Sequence, residues 1–145
     1  MNTSSKSFRT SAAILAAGGL CWVVKFVVIA ATDGATTGAA DTATGLLYLS
    51  AVGLMCLGLA GLGASLLSGR HVALRILGAL GGVVAWALTY LLVEGIAQSV
   101  VGDTEPVWLG EEIGIVLTGA LMLTVGLLLA RPDAAGTRAQ VARTA

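Results

Sequence analysis

The stretch of residues 45–68 reads GLLYLSAVGLMCLGLAGLGASLLS and contains no charged side chain over its 24 residues. A bilayer-spanning helix needs about 20 predominantly apolar residues, because each residue advances the helix by about 1.5 Å. This stretch is long enough to cross the hydrocarbon core of a membrane. It therefore predicts a transmembrane helix, and it sets the class of the whole chain.

Three further stretches have the same length and apolar character. Backbone groups inside lipid must be hydrogen-bonded within the protein, which leaves helices or the strands of a closed barrel. Barrel strands alternate apolar and polar residues, whereas residues 27–30 (VVIA) and 127–130 (LLLA) are continuously apolar. We therefore predict an all-α, integral membrane four-helix bundle with short loops. Its spans cover about residues 11–32, 45–68, 74–98 and 108–130.

The composition of the whole chain supports the same class. Of 145 residues, 57% are hydrophobic and 11% are charged, against about 45–50% and about 25% in soluble globular domains. A water-soluble fold of this size lacks the charge to cover so much apolar surface. The length suits one domain, so we predict a single transmembrane domain at residues 11–130, with tails at residues 1–10 and 131–145.

Net charge and missing motifs limit the partners. The formal net charge is zero, which gives no reason to expect nucleic acid. The two cysteines do not form a Cys-x-x-Cys motif and His71 is the only histidine, so no metal site or cofactor is predicted. The expected partner is the lipid bilayer, with a second copy of the chain or a larger membrane protein as further candidates.

Basic residues are distributed asymmetrically along the chain. Seven of the eight Lys and Arg precede the first span, lie between the second span and the uncharged part of the third, or follow the fourth. Basic residues are retained on the cytoplasmic side, which predicts cytoplasmic N and C termini in a bacterial-type cytoplasmic membrane. The seven basic residues are Lys6, Arg9, Arg70, Arg75, Arg131, Arg138 and Arg143, and the opposite loops carry Asp33, Asp41, Asp103 and Glu105.

Small residues recur at four-residue spacing within the spans. Gly78 and Gly82 lie in the third span, and Gly110, Gly114 and Thr118 lie in the fourth. Small side chains let helices in lipid approach closely, and short connections favour antiparallel neighbours. The pattern predicts a compact bundle, with self-association through one of these faces as the alternative.

Four ionisable residues fall within or at the edge of the apolar spans: Lys25, Glu94, Glu111 and Glu112. A charge at the bilayer centre costs about 2.5–3.5 kcal/mol on insertion scales, so it needs a partner or water. Counting the helical rise places all four in the outer third of the bundle, which predicts a buried Lys/Glu network. Helical phase favours Glu111 over Glu112 as the inward carboxylate, because Glu111 lies nearer the glycine face of the fourth span.

Aromatic residues share helical faces with two of these charges. Trp22 lies one turn from Lys25, and Trp86 and Tyr90 precede Glu94 at four-residue steps. The two tryptophans lie near mid-membrane, deeper than an interfacial aromatic belt. The belt residues are Tyr48 and Trp108, and the candidate functional residues are Lys25, Glu94, Glu111, Glu112, Trp22, Trp86 and Tyr90.

Three functions fit such a cluster. In the first, the chain is an accessory or interaction protein and the charges determine helix register. In the second, it is an oligomeric carrier or proton-coupled small-solute transporter, since intramembrane carboxylates exchange protons as a substrate enters. In the third, it is an intramembrane enzyme in which a glutamic acid protonates a lipid-like or isoprenoid substrate. The first hypothesis is favoured, because four short helices enclose a transport path only as an oligomer, and because aromatic residues that face a helical core more often serve packing than catalysis.

Overall fold

A computed structural model describes residues 3–101 and 106–131, with side chains from Ser5 onward. Each of its helices contains a window with a mean hydropathy between 2.0 and 2.4, and each is long enough to cross a membrane. No strand occurs within the described ranges. The predicted all-α class with four candidate spans is confirmed. The helices are α1 (Thr3–Ala31), α2 (Ala39–Leu66), α3 (Val72–Val101) and α4 (Val107–Ala130).

The helices extend beyond the apolar stretches from which they were predicted. Helix α1 begins at Thr3 and α2 begins at Ala39, whereas the apolar stretches begin near residues 11 and 45. A membrane-spanning helix has room to continue past the hydrocarbon core, because a bilayer with its headgroups is about 40–45 Å thick. The predictions made for Asp103, Glu105, Arg138, Arg143 and the C-terminal tail beyond Arg131 fall outside the described residues.

The four helices form a ring in chain order. Helix α1 packs against α2, α2 against α3 and α3 against α4, and α1 also packs against α4. Residues 67–71 connect α2 to α3 in a tight turn, where Gly69 adopts a left-handed φ of 96°. Glycine is suited to this conformation because it has no Cβ. Such short connections place consecutive helices antiparallel.

The two ends of the bundle differ in charge. The Ser7 and Ser65 hydroxyls are 3.2 Å apart, and Arg9 Nε donates a hydrogen bond to the carbonyl oxygen of Ala130 at 3.1 Å. These contacts bring the start of α1 together with the ends of α2 and α4. We call this the basic end, because it carries Lys6, Arg9, Arg70, Arg75 and Arg131, and we call the opposite end, with Asp33 and Asp41, the acidic end.

Backbones approach closely where glycines lie between helices. A Cβ on Gly19 of α1 would lie 2.5 Å from backbone atoms of both Gly119 and Leu123 in α4. Between α2 and α3, Gly63 and Gly78 face each other so closely that neither position has room for a side chain. Close approach of this kind strengthens helix packing in lipid. Gly78 thus has the packing role that its spacing predicts.

The core is centred on α1, and α3 is peripheral. Leu15 and Trp22 of α1 form one buried cluster with Met55 of α2 and Met122 of α4. In its most apolar window, 44% of α1 is buried, whereas none of the corresponding window of α3 is. Helix α3 therefore presents most of its surface outward, including large apolar residues such as Leu88.

Candidate functional site

A buried ion pair joins the first and last helices near the acidic end. Lys25 Nζ donates hydrogen bonds to both carboxylate oxygens of Glu112, at 2.6 Å to Oε1 and 2.5 Å to Oε2. The side chains of Lys25 and Glu112 are only 10% and 15% exposed. Charge-assisted hydrogen bonds are stronger than neutral ones, and a less polar environment strengthens them further. The pair therefore links α1 to α4, the contact that closes the ring of helices.

The expectation that Glu111 is the inward carboxylate is wrong, because Glu111 is exposed and Glu112 binds Lys25. The reason lies in which helix each face of α4 meets. Glu112 precedes Gly119 by seven residues, or two helical turns, and Gly119 lies against the backbone of α1. The glycine face used for the prediction instead meets α3, where Gly114 contacts a glutamate side chain.

Four aromatic rings from three helices pack beside this pair. The Trp22 ring stacks on Tyr48, with centroids 6.0 Å apart, and lies 5.6 Å from Tyr90. Tyr90 in turn stacks on Trp86 at 6.2 Å. Lys25 Nζ lies 5.7 Å from the centre of the Tyr48 ring, within the distance at which a cation is attracted to an aromatic face. The lysine is thus held by a carboxylate and by a ring.

Tyr48 belongs to this group although the sequence pattern assigned it to the interfacial belt. Helix α2 begins at Ala39, so Tyr48 lies nine residues, or about 13 Å, along the helix. The hydropathy of the chain hides this start, because the first turns of α2 are polar. Asp41 in the first turn is the kind of signal that marks a helix N-terminus and could have revealed that Tyr48 lies well inside α2.

Glu94 lies on α3 and forms a separate contact with α4. Its Oε1 accepts a hydrogen bond from Gln98 Nε2 at 3.0 Å, and the same nitrogen donates to the carbonyl oxygen of Gly110 at 2.9 Å. Its Oε2 is buried and has no hydrogen-bond partner among the described residues. That oxygen lies against Gly114, where an added side chain would displace it. Glu94 is therefore an incompletely satisfied carboxyl between two helices.

Tyr90 lies on α3 four residues before Glu94, so the two side chains share a helical face, and its ring packs 5.6 Å from that of Trp22 beside the ion pair. Gln98 was not singled out from the sequence, although its position four residues after Glu94 allows a side-chain contact on a helix. We refer to the assembled residues as the charged aromatic cluster. It contains the predicted Lys25, Glu94, Glu112, Trp22, Trp86 and Tyr90, adds Tyr48 and Gln98, and leaves out Glu111.

Two fully buried polar groups lie close in sequence to the ion pair. Trp22 is 1% exposed and Thr118 is 0% exposed, and neither the Trp22 Nε1 nor the Thr118 Oγ1 has a hydrogen-bond partner within the described ranges. An unsatisfied buried donor or acceptor costs about 1–3 kcal/mol. The interior of the bundle therefore contains two polar groups whose burial lowers the stability of the fold.

Within residues 3–101 and 106–131, the other reactive side chains do not assemble into a second cluster. Among the described residues, no three His, Cys, Asp or Glu side chains come together as metal ligands would. Cys21 and Cys56 are both free thiols. Comparison with protein-family models, with curated proteins and with solved structures finds no match to this chain.

Proposed function

We propose that this chain is a small integral membrane protein of accessory type, which acts by contacting a larger membrane protein. The four helices cross a bacterial-type cytoplasmic membrane, and both termini face the cytoplasm. Support comes from the length and apolarity of the helices and from the charge difference between the basic and acidic ends. Basic residues favour retention of their end on the cytoplasmic side.

The observation that carries this proposal is the Lys25–Glu112 pair. Two hydrogen bonds to Glu112 and the nearby Tyr48 ring engage the ammonium group within the bundle. A lysine neutralised in this way contributes to helix register and to a unique shape. The pair is therefore better suited to maintaining the architecture of the bundle than to capturing a substrate, which favours an accessory role over an enzymatic one.

Helix α3 is the side on which we expect the larger partner. The most apolar windows of the other helices are 22–44% buried inside the chain, and that of α3 is not buried at all. Leu88 and Leu92 on α3 are 62% and 64% exposed. Helices in lipid associate through van der Waals packing rather than through the hydrophobic effect. The helix with the most uncovered surface therefore offers the largest area for another transmembrane helix.

Photo-crosslinking in the native membrane tests this assignment. A photoreactive amino acid replaces either Leu88 on α3 or Val27 on α1, which are 62% and 58% exposed. We expect position 88 to give a discrete product heavier than two copies of the 14.5 kDa chain, and position 27 to give none. A product of two copies at position 88, or no discrete product at either position, would contradict the accessory role.

Glu94 supports a second candidate function, a proton-coupled carrier of small solutes. Its Oε1 is bound by a neutral amide, and its Oε2 has no partner in the part of the chain that the structure describes. Intramembrane carboxyls without a cationic partner are common in proton relays and transporters. This carboxyl also lies at the α3–α4 contact, next to the most peripheral helix.

Reconstitution into vesicles tests whether the chain is a carrier or an accessory protein. The wild type, Glu94→Gln and Glu111→Gln are compared for solute-dependent proton movement under an imposed pH gradient, with a panel of small organic cations. A carrier predicts movement in the wild type and in Glu111→Gln, whose glutamate is exposed, and none in Glu94→Gln. Equal traces for all three proteins would exclude proton coupling through Glu94.

A further inference from the structure

An open apolar cavity of about 480 Å³ lies among all four helices at the basic end. Its volume falls within the range of about 300–1,000 Å³ that is usual for small-molecule sites. Its walls are hydrocarbon or glycine backbone, with no charged side chain among the residues that line it. Six of the lining residues are Phe8, Leu62, Leu66, Gly78, Gly82 and Leu129.

Glycines on one side of α3 create this space. Gly78 and Gly82 press against the backbone of α2 at Gly63 and Leu59, so their own positions add no side chain to the cavity wall. Gly81 also lines the cavity, and a Cβ placed there would meet no atom within 4 Å. The wall therefore lacks side-chain volume where a packed bundle would have it.

Basic residues follow cavity-lining residues in sequence on α1, in the α2–α3 connection and after the end of α4. Arg9 follows the lining residue Phe8, Arg131 comes two residues after Leu129, and Arg70 comes three residues after Leu67. Lys6 and Arg75 lie at the same end of the bundle. The acidic residues that the structure describes all lie toward the acidic end: Asp33, Asp41, Glu94, Glu111 and Glu112.

We propose that the cavity binds one anionic membrane phospholipid, with an acyl chain between the helices and the phosphate headgroup among the basic residues. Apolar walls match the chain, and the basic residues that the structure describes at this end of the bundle match the phosphate. Basic pockets between transmembrane helices on the cytoplasmic side bind anionic headgroups in this way. The proposal shares with the proposed function only the placement of the helices in the membrane.

Lipid binding to the purified full-length chain tests the proposal. Native mass spectrometry compares phosphatidylglycerol with phosphatidylcholine carrying the same acyl chains, for the wild type, Gly81→Leu and Gly95→Leu. Leucine at position 81 adds side-chain volume at the cavity wall, whereas Gly95 lies outside the cavity and also has no atom within 4 Å of its Cβ position. We expect Gly81→Leu to weaken phosphatidylglycerol binding at least about tenfold and Gly95→Leu to leave it unchanged.

A second variant tests whether exposed basic residues contribute to the binding of the headgroup. The Arg70→Gln/Arg131→Gln protein, altered at two exposed positions, should lose most of the preference for phosphatidylglycerol over phosphatidylcholine. This variant also decides the question if Gly81→Leu fails to fold. Three results would each overturn the proposal. They are equal binding of the two lipids by the wild type, full phosphatidylglycerol binding by a folded Gly81→Leu, and binding of glycerol 3-phosphate alone that is as tight as that of phosphatidylglycerol.

Discussion

Breaking the Lys25–Glu112 pair on one side should destabilise the bundle far more than removing both charges. Lys25→Met leaves a buried carboxylate without its cation, and Glu112→Gln leaves a buried ammonium without its anion. Removing one partner of a buried pair costs about 3–5 kcal/mol. Because the two side chains retain 10% and 15% exposure, we expect the lower value, about 3 kcal/mol for each single variant.

The double variant distinguishes a pair from two independent charges. Replacing both partners by hydrophobic side chains of similar size is often close to neutral, and glutamine adds only the cost of an uncharged buried amide, so Lys25→Met/Glu112→Gln should lie within about 1–2 kcal/mol of the wild type. It should then be more stable than either single variant. Glu111→Gln is the matched control, because Glu111 is the neighbouring carboxylate and is exposed. Its change should stay within about 0.5 kcal/mol.

Reversible unfolding in mixed micelles provides the measurement. The fraction folded is followed against the mole fraction of denaturing detergent by tryptophan fluorescence, since Trp22 lies in the charged aromatic cluster. Single variants that lose less than about 1 kcal/mol, or a double variant that loses the sum of the two single changes, would refute an architectural pair. Stabilised single variants would direct attention to a binding role for the two charges.

Two further predictions concern packing and topology. Gly19→Ala should lower the free energy of unfolding by about 1–3 kcal/mol, because its Cβ would lie 2.5 Å from the α4 backbone. The control Gly53→Ala has open space and should raise the free energy of unfolding by up to about 1 kcal/mol through helix propensity. Equal shifts of the two variants in an unfolding titration would contradict the close contact at Gly19. Alkaline phosphatase inserted in residues 32–38 should be active, and the same enzyme fused after Ala145 should be inactive; the reverse pattern would refute cytoplasmic termini.

The class of the protein and its four helices could be predicted from the sequence because they depend on quantities that run along the chain. Apolar length shows which segments can cross a bilayer, and the structure contains one helix for each such segment. Close packing at Gly78 was predictable for a related reason, since small residues at helical spacing permit close contact whatever the neighbour. These properties need no knowledge of which helices meet.

The partner of Lys25 could be narrowed to a few carboxylates but not chosen correctly. Glu111 and Glu112 are separated by about 100° around the helix axis, so the rotation of α4 decides which of them faces α1. That rotation follows from contacts of Gly119 and Gly126 with the backbone of α1. Sequence spacing shows that these glycines share a helical face with Glu112, but it does not show that this face meets α1.

What the sequence by itself determined is therefore the set of elements and their character: four apolar helices, charged groups among them, and opposite charge at the two ends. The tertiary structure alone decided that Glu112 binds Lys25, that Tyr48 joins the cluster, and that an apolar cavity lies at the basic end. The physical reason is that hydrophobicity and net charge are summed along one segment. Partner choice and cavity shape instead depend on the rotation and spacing of several helices at once.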